Sequence, residues 1–222
     1  TYAADRILEK GFQDPLSKTI DFITWNISFR SITKKLGLSR VDAAGSGAAP
    51  IAPEVLKFFM AMGIPIFEAY GMTENTGYAT GKDYENILLG TVGVPNKYCE
   101  LKLADDGEIL IRHGGVFKGY FKNEEATKET IDEDGWLYTG DVGEFDGEFL
   151  KIVDRKKDII ITSGGKNVSP SEIENNIKTS PFIKEAIVIG DDRKFLSALI
   201  GIEYDIVSNW ALRKNIAHTT YR

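Results

Sequence analysis

Five consecutive charged residues, Asp154-Arg155-Lys156-Lys157-Asp158, constrain this chain more than any other feature. An ionised side chain is costly to bury without a partner, so no single packed core runs through all five. The segment reads as a solvated linker, and a domain boundary is expected there. Downstream, residues 159–162, 183–189 and 196–202 carry strand-like apolar runs. Ser169-Pro170-Ser171-Glu172 opens a helix, with proline at its first position, that runs to about Thr179. Asp205 is placed as the cap of a last helix through Ile216. Residues 159–222 are thus expected to form a small, incomplete α+β domain, and residues 154–158 a hinge.

Upstream the texture is different. Residues 20–32 have helical spacing, and Gly37 follows as a stop. Val41-Asp42-Ala43-Ala44 reads as a short buried strand that enters the small-residue loop Gly45-Ser46-Gly47-Ala48-Ala49-Pro50. Residues 53–62 place Val55, Phe58, Phe59 and Met62 at helical intervals, and residues 64–70 read as a strand. That alternation is an α/β pattern, so residues 1–87 are expected to be the C-terminal part of a larger α/β region. Residues 88–153 break into short strands at 99–103 and 108–112 and a hairpin at 145–149. They are expected to form a β-rich, barrel-like subdomain.

The formal net charge is −6 and lysines and arginines form no dense cluster, which argues against a general nucleic-acid surface. It does not exclude one nucleotide in a local pocket. The one cysteine, Cys99, cannot form an internal disulfide and fits a reducing, cytoplasmic compartment. No apolar run approaches the roughly 20 residues of a membrane-spanning helix. Thr1-Tyr2-Ala3-Ala4-Asp5 is not a secretory signal, and both ends read as cuts through a longer chain.

Four clusters carry possible chemistry. Tyr70-Gly71-Met72-Thr73-Glu74 sets a flat ring, a hydroxyl and a carboxylate at one strand-to-loop junction. A ring can cover a purine, a hydroxyl can donate to phosphate, and a carboxylate can hold Mg²⁺. The same residues could equally be a turn with a surface glutamate. The loop from Gly45 to Pro50 lets backbone approach a ligand closely, or it packs a tight turn. Asp141 in Trp136-Leu137-Tyr138-Thr139-Gly140-Asp141 can accept from both hydroxyls of a ribose, or it caps a β-turn. Thr162-Ser163-Gly164-Gly165-Lys166-Asn167, after the charged segment, can turn backbone N–H groups toward an anion or form a plain turn.

In this order and spacing, over about residues 36–205, the clusters resemble the adenylate-forming enzymes. These include acyl-CoA synthetases, luciferases and peptide-synthetase adenylation domains. Ser163-Gly164-Gly165-Lys166-Asn167-Val168, Gly114-Gly115-Val116-Phe117-Lys118-Gly119-Tyr120 and the stretch from Gly190 to Ile200 look most like long-chain acyl-CoA synthetases. Leu36-Gly37-Leu38-Ser39-Arg40 is similar to the bubblegum-type branch.

The resemblance implies a two-step reaction. A fatty acid's carboxylate attacks the α-phosphorus of ATP, and coenzyme A then displaces AMP to give the thioester. It implies that Thr73 touches the α-phosphate and that Glu74 holds Mg²⁺. Tyr70 and Gly71 would line the adenine, with Gly47, Ala48 and Ala49 at its edge. Asp141 and Arg155 would bind the ribose, and Lys157 would be the hinge. Gly164, Gly165 and Lys166 would serve the coenzyme A side. A homodimer and a peripheral membrane contact are compatible with such an enzyme. The family's upstream phosphate loop and its late lysine have no match here, and Lys214 lacks the expected context. The 222-residue chain alone is therefore expected to be inactive. Two other functions stay open: another adenylate-former, such as a peptide-synthetase domain or a luciferase, and a non-catalytic nucleotide-binding fragment.

Overall fold

The structure is a computed structural model, which describes residues 29–41, 44–81 and 87–217. It is a mixed α/β chain that divides into two units. One takes the residues up to Lys102 with Leu110–Tyr138 and Phe145–Lys151. The other takes Leu103–Ile109, Thr139–Glu144 and the residues from Ile152 onward.

In the first unit, helix α1 (Arg30–Lys35) is followed by strand β1 (Ala44–Ser46), helix α2 (Pro53–Ala61) and strand β2 (Ile66–Glu68). Most of the helix expected over residues 20–32 lies outside the described residues. The strand expected over residues 41–44 instead begins at Ala44, and residues 42–43 lie outside the described residues. Proline at the first position of α2 fits its fixed φ to a helix start. Leu56 and Met60, one turn apart on α2, are buried, as are Met62 and Ile64 just beyond it. β1 and β2 pair in parallel, Ala44 opposite Ile66 and Ser46 opposite Glu68. A parallel pair needs a crossover, and α2 supplies it.

A short 3₁₀ turn (Thr73–Asn75) precedes the small pair β3 (Thr80–Gly81) and β4 (Val94–Pro95). Then come β5 (Glu100–Leu103), β6 (Glu108–Arg112), β7 (Leu137–Asp146) and β8 (Phe149–Arg155). They hydrogen-bond in that order as a four-stranded sheet whose strands lend residues to both units. The two-residue link between β7 and β8, with Gly147 at φ 62°, forces these neighbours antiparallel. Ile109, Ile111, Leu137 and Leu150 are fully buried along the sheet.

Between β6 and β7 lies helix α3 (Glu124–Thr130), which the strand-like texture of this region concealed. Its start is nevertheless written in the sequence. Asn123 accepts from the Ala126 N–H at 3.1 Å, and Glu124 and Glu125 occupy the positive first turn.

In the second unit, the small antiparallel pair β9 (Ile160–Ile161) and β10 (Asn167–Val168) leads into helix α4 (Pro170–Lys178). Ser169 caps α4, its hydroxyl accepting from the Glu172 N–H at 3.2 Å. Strands β11 (Ile183–Ile189) and β12 (Ser197–Ile202) form an antiparallel ribbon, and α4 packs on β11 over buried Ala186 and Val188. The last helix, α5 (Tyr204–Arg213), corrects the expected cap. Glu203 occupies the cap position, and Asp205 sits inside the first turn, where its charge meets the helix N-terminus. The helix also ends at Arg213, short of Ile216.

Candidate functional site

In the first unit, the parallel β1–β2 pair sends the loops after both strands out at the same carboxyl edge. That edge is where α/β sheets receive ligands. Gly47, Ala48 and Ala49 lie exposed in the loop after β1. Ala48 takes a left-handed φ of 70°, and a Cβ on Gly47 would stand 3.3 Å from the Ala69 carbonyl. The Ala69 N–H donates to the Ser46 carbonyl at 2.9 Å, which carries the pairing past the strand ends. Glu68 accepts from the Ile51 N–H at 3.1 Å. Burial holds its carboxyl above the usual range, although that N–H pulls the other way.

Tyr70 follows directly. Its N–H donates to Thr80 Oγ1 at 3.0 Å and its carbonyl accepts from the Ala79 and Thr80 N–H groups. Gly71 leaves no room for a side chain unless backbone shifts: a Cβ there would stand 2.3 Å from the backbone of Gly77. The loop closes on that contact, with the Gly77 N–H on the Met72 carbonyl at 2.9 Å and the Met72 N–H on Asn75 Oδ1 at 2.9 Å. Thr73 is thereby left exposed at the start of the 3₁₀ turn and Glu74 half-buried beside it.

Glu74 is held at both ends by one segment. Its carbonyl accepts from the Phe117 N–H at 2.7 Å, and its carboxylate accepts from the Tyr120 hydroxyl at 2.9 Å. Phe117 and Tyr120 stack edge to face at 4.9 Å. Burial, then the Glu74 contact, raises the Tyr120 pKa, so the phenol keeps its proton. Sequence reasoning quoted Tyr120 only as a family resemblance and assigned it no role. Beside this segment His113 Nδ1 accepts from the Gly115 N–H at 3.0 Å, which puts the neutral ring's proton on Nε2. That Nε2 and the buried Asn75 Nδ2 find no hydrogen-bond partner among the described residues.

The second unit brings Asp141 and Arg155 together. Asp141 Oδ1 lies 3.5 Å from Arg155 Nε, with the arginine largely exposed and the carboxylate mostly covered. Asp141 is not in a turn: it stands inside β7, after Gly140 at φ 72°. Its N–H donates to Thr139 Oγ1 at 3.1 Å. Lys157 is exposed in the turn after β8, which closes through the Asp158 and Ile159 N–H groups on the Arg155 carbonyl. Asp154 is buried and accepts from Ser169 Oγ at 2.7 Å, Ser171 Oγ at 2.9 Å and the Ser171 N–H at 3.1 Å. Gly164, Gly165 and Lys166 lie exposed in the turn between β9 and β10, closed by the Gly165 N–H on the Thr162 carbonyl. A Cβ at Gly164 would meet nothing within 4 Å. Among the described residues no group of three or more His, Cys, Asp or Glu could hold a metal ion. None of the described helices is long and apolar enough to cross a membrane.

Comparison with known proteins adds to this geometry. Residues 4–121 match the family of AMP-binding enzymes, and residues 157–216 match the AMP-binding enzyme C-terminal domain. The long-chain-fatty-acid–CoA ligase FadD15 of Mycobacterium bovis is 41% identical over 188 residues, covering 84% of this chain and 31% of that protein. The peroxisomal long chain acyl-CoA synthetase 7 of Arabidopsis thaliana is 38% identical over 207 residues, covering 86% of this chain and 29% of that one. The chain thus spans about a third of the length of the curated relatives it matches. Among solved structures, the O-succinylbenzoate coenzyme A synthetase of Bacillus subtilis with ATP and magnesium superposes with a TM-score of 0.66 at 31% identity. That match covers 78% of this chain and 40% of the other.

Proposed function

The chain belongs to the family of AMP-binding enzymes, and from that we propose that it is part of an ATP-dependent ligase joining a long-chain fatty acid to coenzyme A. The observation that carries the proposal is the parallel β1–β2 pair, which brings Gly47–Ala49 and Tyr70–Glu74 to one carboxyl edge. The relatives named long-chain-fatty-acid–CoA ligase and long chain acyl-CoA synthetase, near 40% identical, support the choice of acid and of thiol.

In this reading a carboxylate oxygen of the acid bonds to the α-phosphorus of ATP and the bond to pyrophosphate breaks. The coenzyme A sulfur then bonds to the acyl carbon of the adenylate and AMP leaves. The protein's part is positioning and charge neutralisation. Thr73, exposed on its turn, donates to the α-phosphate. Tyr70 and Gly71 lie along the adenine, whose edge meets the backbone of Gly47, Ala48 and Ala49. Asp141 and Arg155 take the ribose, Gly164, Gly165 and Lys166 receive coenzyme A, and Lys157 is the hinge between the two steps. A single protein carboxylate suits Mg²⁺, which keeps most of its waters and binds through one or two carboxylates plus substrate phosphates. Glu74 would hold it, and the ion would offset charge at the phosphates. A substrate that partitions into bilayers also suits a membrane-peripheral location.

The test is pyrophosphate release by the full-length protein across a series of acids. An apolar acyl site gains about 0.8 kcal/mol per buried CH₂, so release rises from short to long fatty acids. Faster release with any amino acid would sink the proposal and favour a peptide-synthetase-like reading.

A further inference from the structure

Gly140 is gripped at both ends of its backbone. Its N–H donates to Glu108 Oε1 at 2.9 Å, and its carbonyl accepts from the Lys156 N–H at 2.8 Å. Those two partners are also joined to each other, Lys156 Nζ to Glu108 Oε2 at 2.8 Å. The three residues therefore close a ring of hydrogen bonds from β6, β7 and the turn after β8. Asp106 adds a second carboxylate to Lys156 at 2.6 Å. Thr139, the preceding residue of β7, donates from Oγ1 to the Ile109 carbonyl at 2.8 Å.

The neighbours of this ring are the two residues assigned to the ribose. Asp141 follows Gly140, and Arg155 precedes Lys156. We propose that Glu108 and Lys156 are positioning residues for the ribose, locking the Asp141 and Arg155 segments in the register that lets both side chains face one ligand. The proposal rests on the ribose reading of Asp141.

Two features favour positioning over plain stabilisation. The Glu108 side chain is 8% exposed, so both of its oxygens need partners, and both are spent on the segments that carry Asp141 and Arg155. Lys156 is 47% exposed, and an ion pair with so open a lysine contributes little to stability by itself. Gly140 fits the same account. At φ 72° it needs glycine for its conformation, although nothing lies within 4 Å of the place a Cβ would take. The backbone is bent there to meet one acceptor and one donor, not to avoid a neighbour.

Calorimetry on the full-length protein, with adenosine monophosphate and its 2′,3′-dideoxy counterpart, tests the proposal. Glu108→Gln and Lys156→Met should each weaken AMP binding by roughly five- to tenfold while leaving the dideoxy nucleotide within about twofold. The double variant should be no weaker than the worse single, because both act through one ring. Lys156→Arg should restore most of the affinity. Equal losses for both nucleotides, or losses that multiply in the double variant, overturn the proposal. Lys156→Met sits on the open side and keeps the test available when Glu108→Gln fails to fold. Asp141→Ala separates the two levels. If it abolishes the preference for AMP while Glu108→Gln and Lys156→Met keep it, the ribose reading stands and the positioning role is wrong. If Asp141→Ala keeps the preference, the ribose reading fails and the positioning role falls with it.

Discussion

The Tyr120 hydroxyl donates to the Glu74 carboxylate at 2.9 Å, joining two residues 46 positions apart. A hydrogen bond to a partly solvated carboxylate contributes about 1 kcal/mol, or roughly fivefold in an equilibrium. Tyr120→Phe is expected to raise the Mg²⁺ concentration for half-maximal pyrophosphate release by about that factor, with kcat unchanged at saturating Mg²⁺. An unshifted Mg²⁺ midpoint would show that the phenol does not orient Glu74.

Gly71 and Gly164 make a matched pair of glycines. A Cβ on Gly71 would meet the Gly77 carbonyl carbon at 2.3 Å, whereas one on Gly164 would meet nothing within 4 Å. Gly71→Ala should cost about 1–3 kcal/mol in urea unfolding, because backbone must move. It should also depress pyrophosphate release. Gly164→Ala should stay within about 0.5 kcal/mol of the parent. A raised KM for coenzyme A in that variant, with pyrophosphate release unchanged, is the expected signature of a thiol-side loop. A slowed first step would count against it.

Cys99 gives a pH dependence with a definite sign. Burial, with Glu100 beside it, pushes the thiol up from 9.0 to about 11. The folded state therefore keeps its proton where the unfolded chain has lost it. The resulting stability is fully present below about pH 9 and is lost as pH rises through about 11. Relative to Cys99→Ala, the parent should lose stability across that window in denaturant titrations. A difference that does not vary with pH would contradict the burial argument.

The cap on α3 is a smaller and more local test. Asn123→Ala removes the side chain that accepts the Ala126 N–H and should cost about 1 kcal/mol in thermal unfolding. A change well below that would mean water replaces the cap.

Where the signal was local, the sequence was enough. β6 and β11 fall on the residues that their apolar runs marked, and α4 starts at Pro170 behind its Ser169 cap, the pair that announces it. Asp205 was misread because its residue type suits a cap, while β12 and the Glu203 N–H on the Phe182 carbonyl decide where the chain turns into α5. α3 was missed because six polar residues and the single Ala126 show no apolar stripe, and only the Asn123 cap and the two glutamates marked it. In the candidate site, the loops and their order were legible as short motifs. The contacts that join them were not. Glu108 meets Lys156 across 48 residues, and Tyr120 meets Glu74 across 46. Nothing in a charge or a phenol names a partner so far along the chain, since only the sheet and the loop closure bring them near.

Asp154 has a mechanical consequence. It stands just before Lys157 and grips Ser169 and Ser171, which stand beyond it, through three hydrogen bonds. A swivel at Lys157 would thus have a latch fastened across its axle. If Lys157 turns as proposed, all three bonds must break from a buried carboxylate, so the rate of turning should climb steeply with temperature and Asp154→Ala should flatten that dependence.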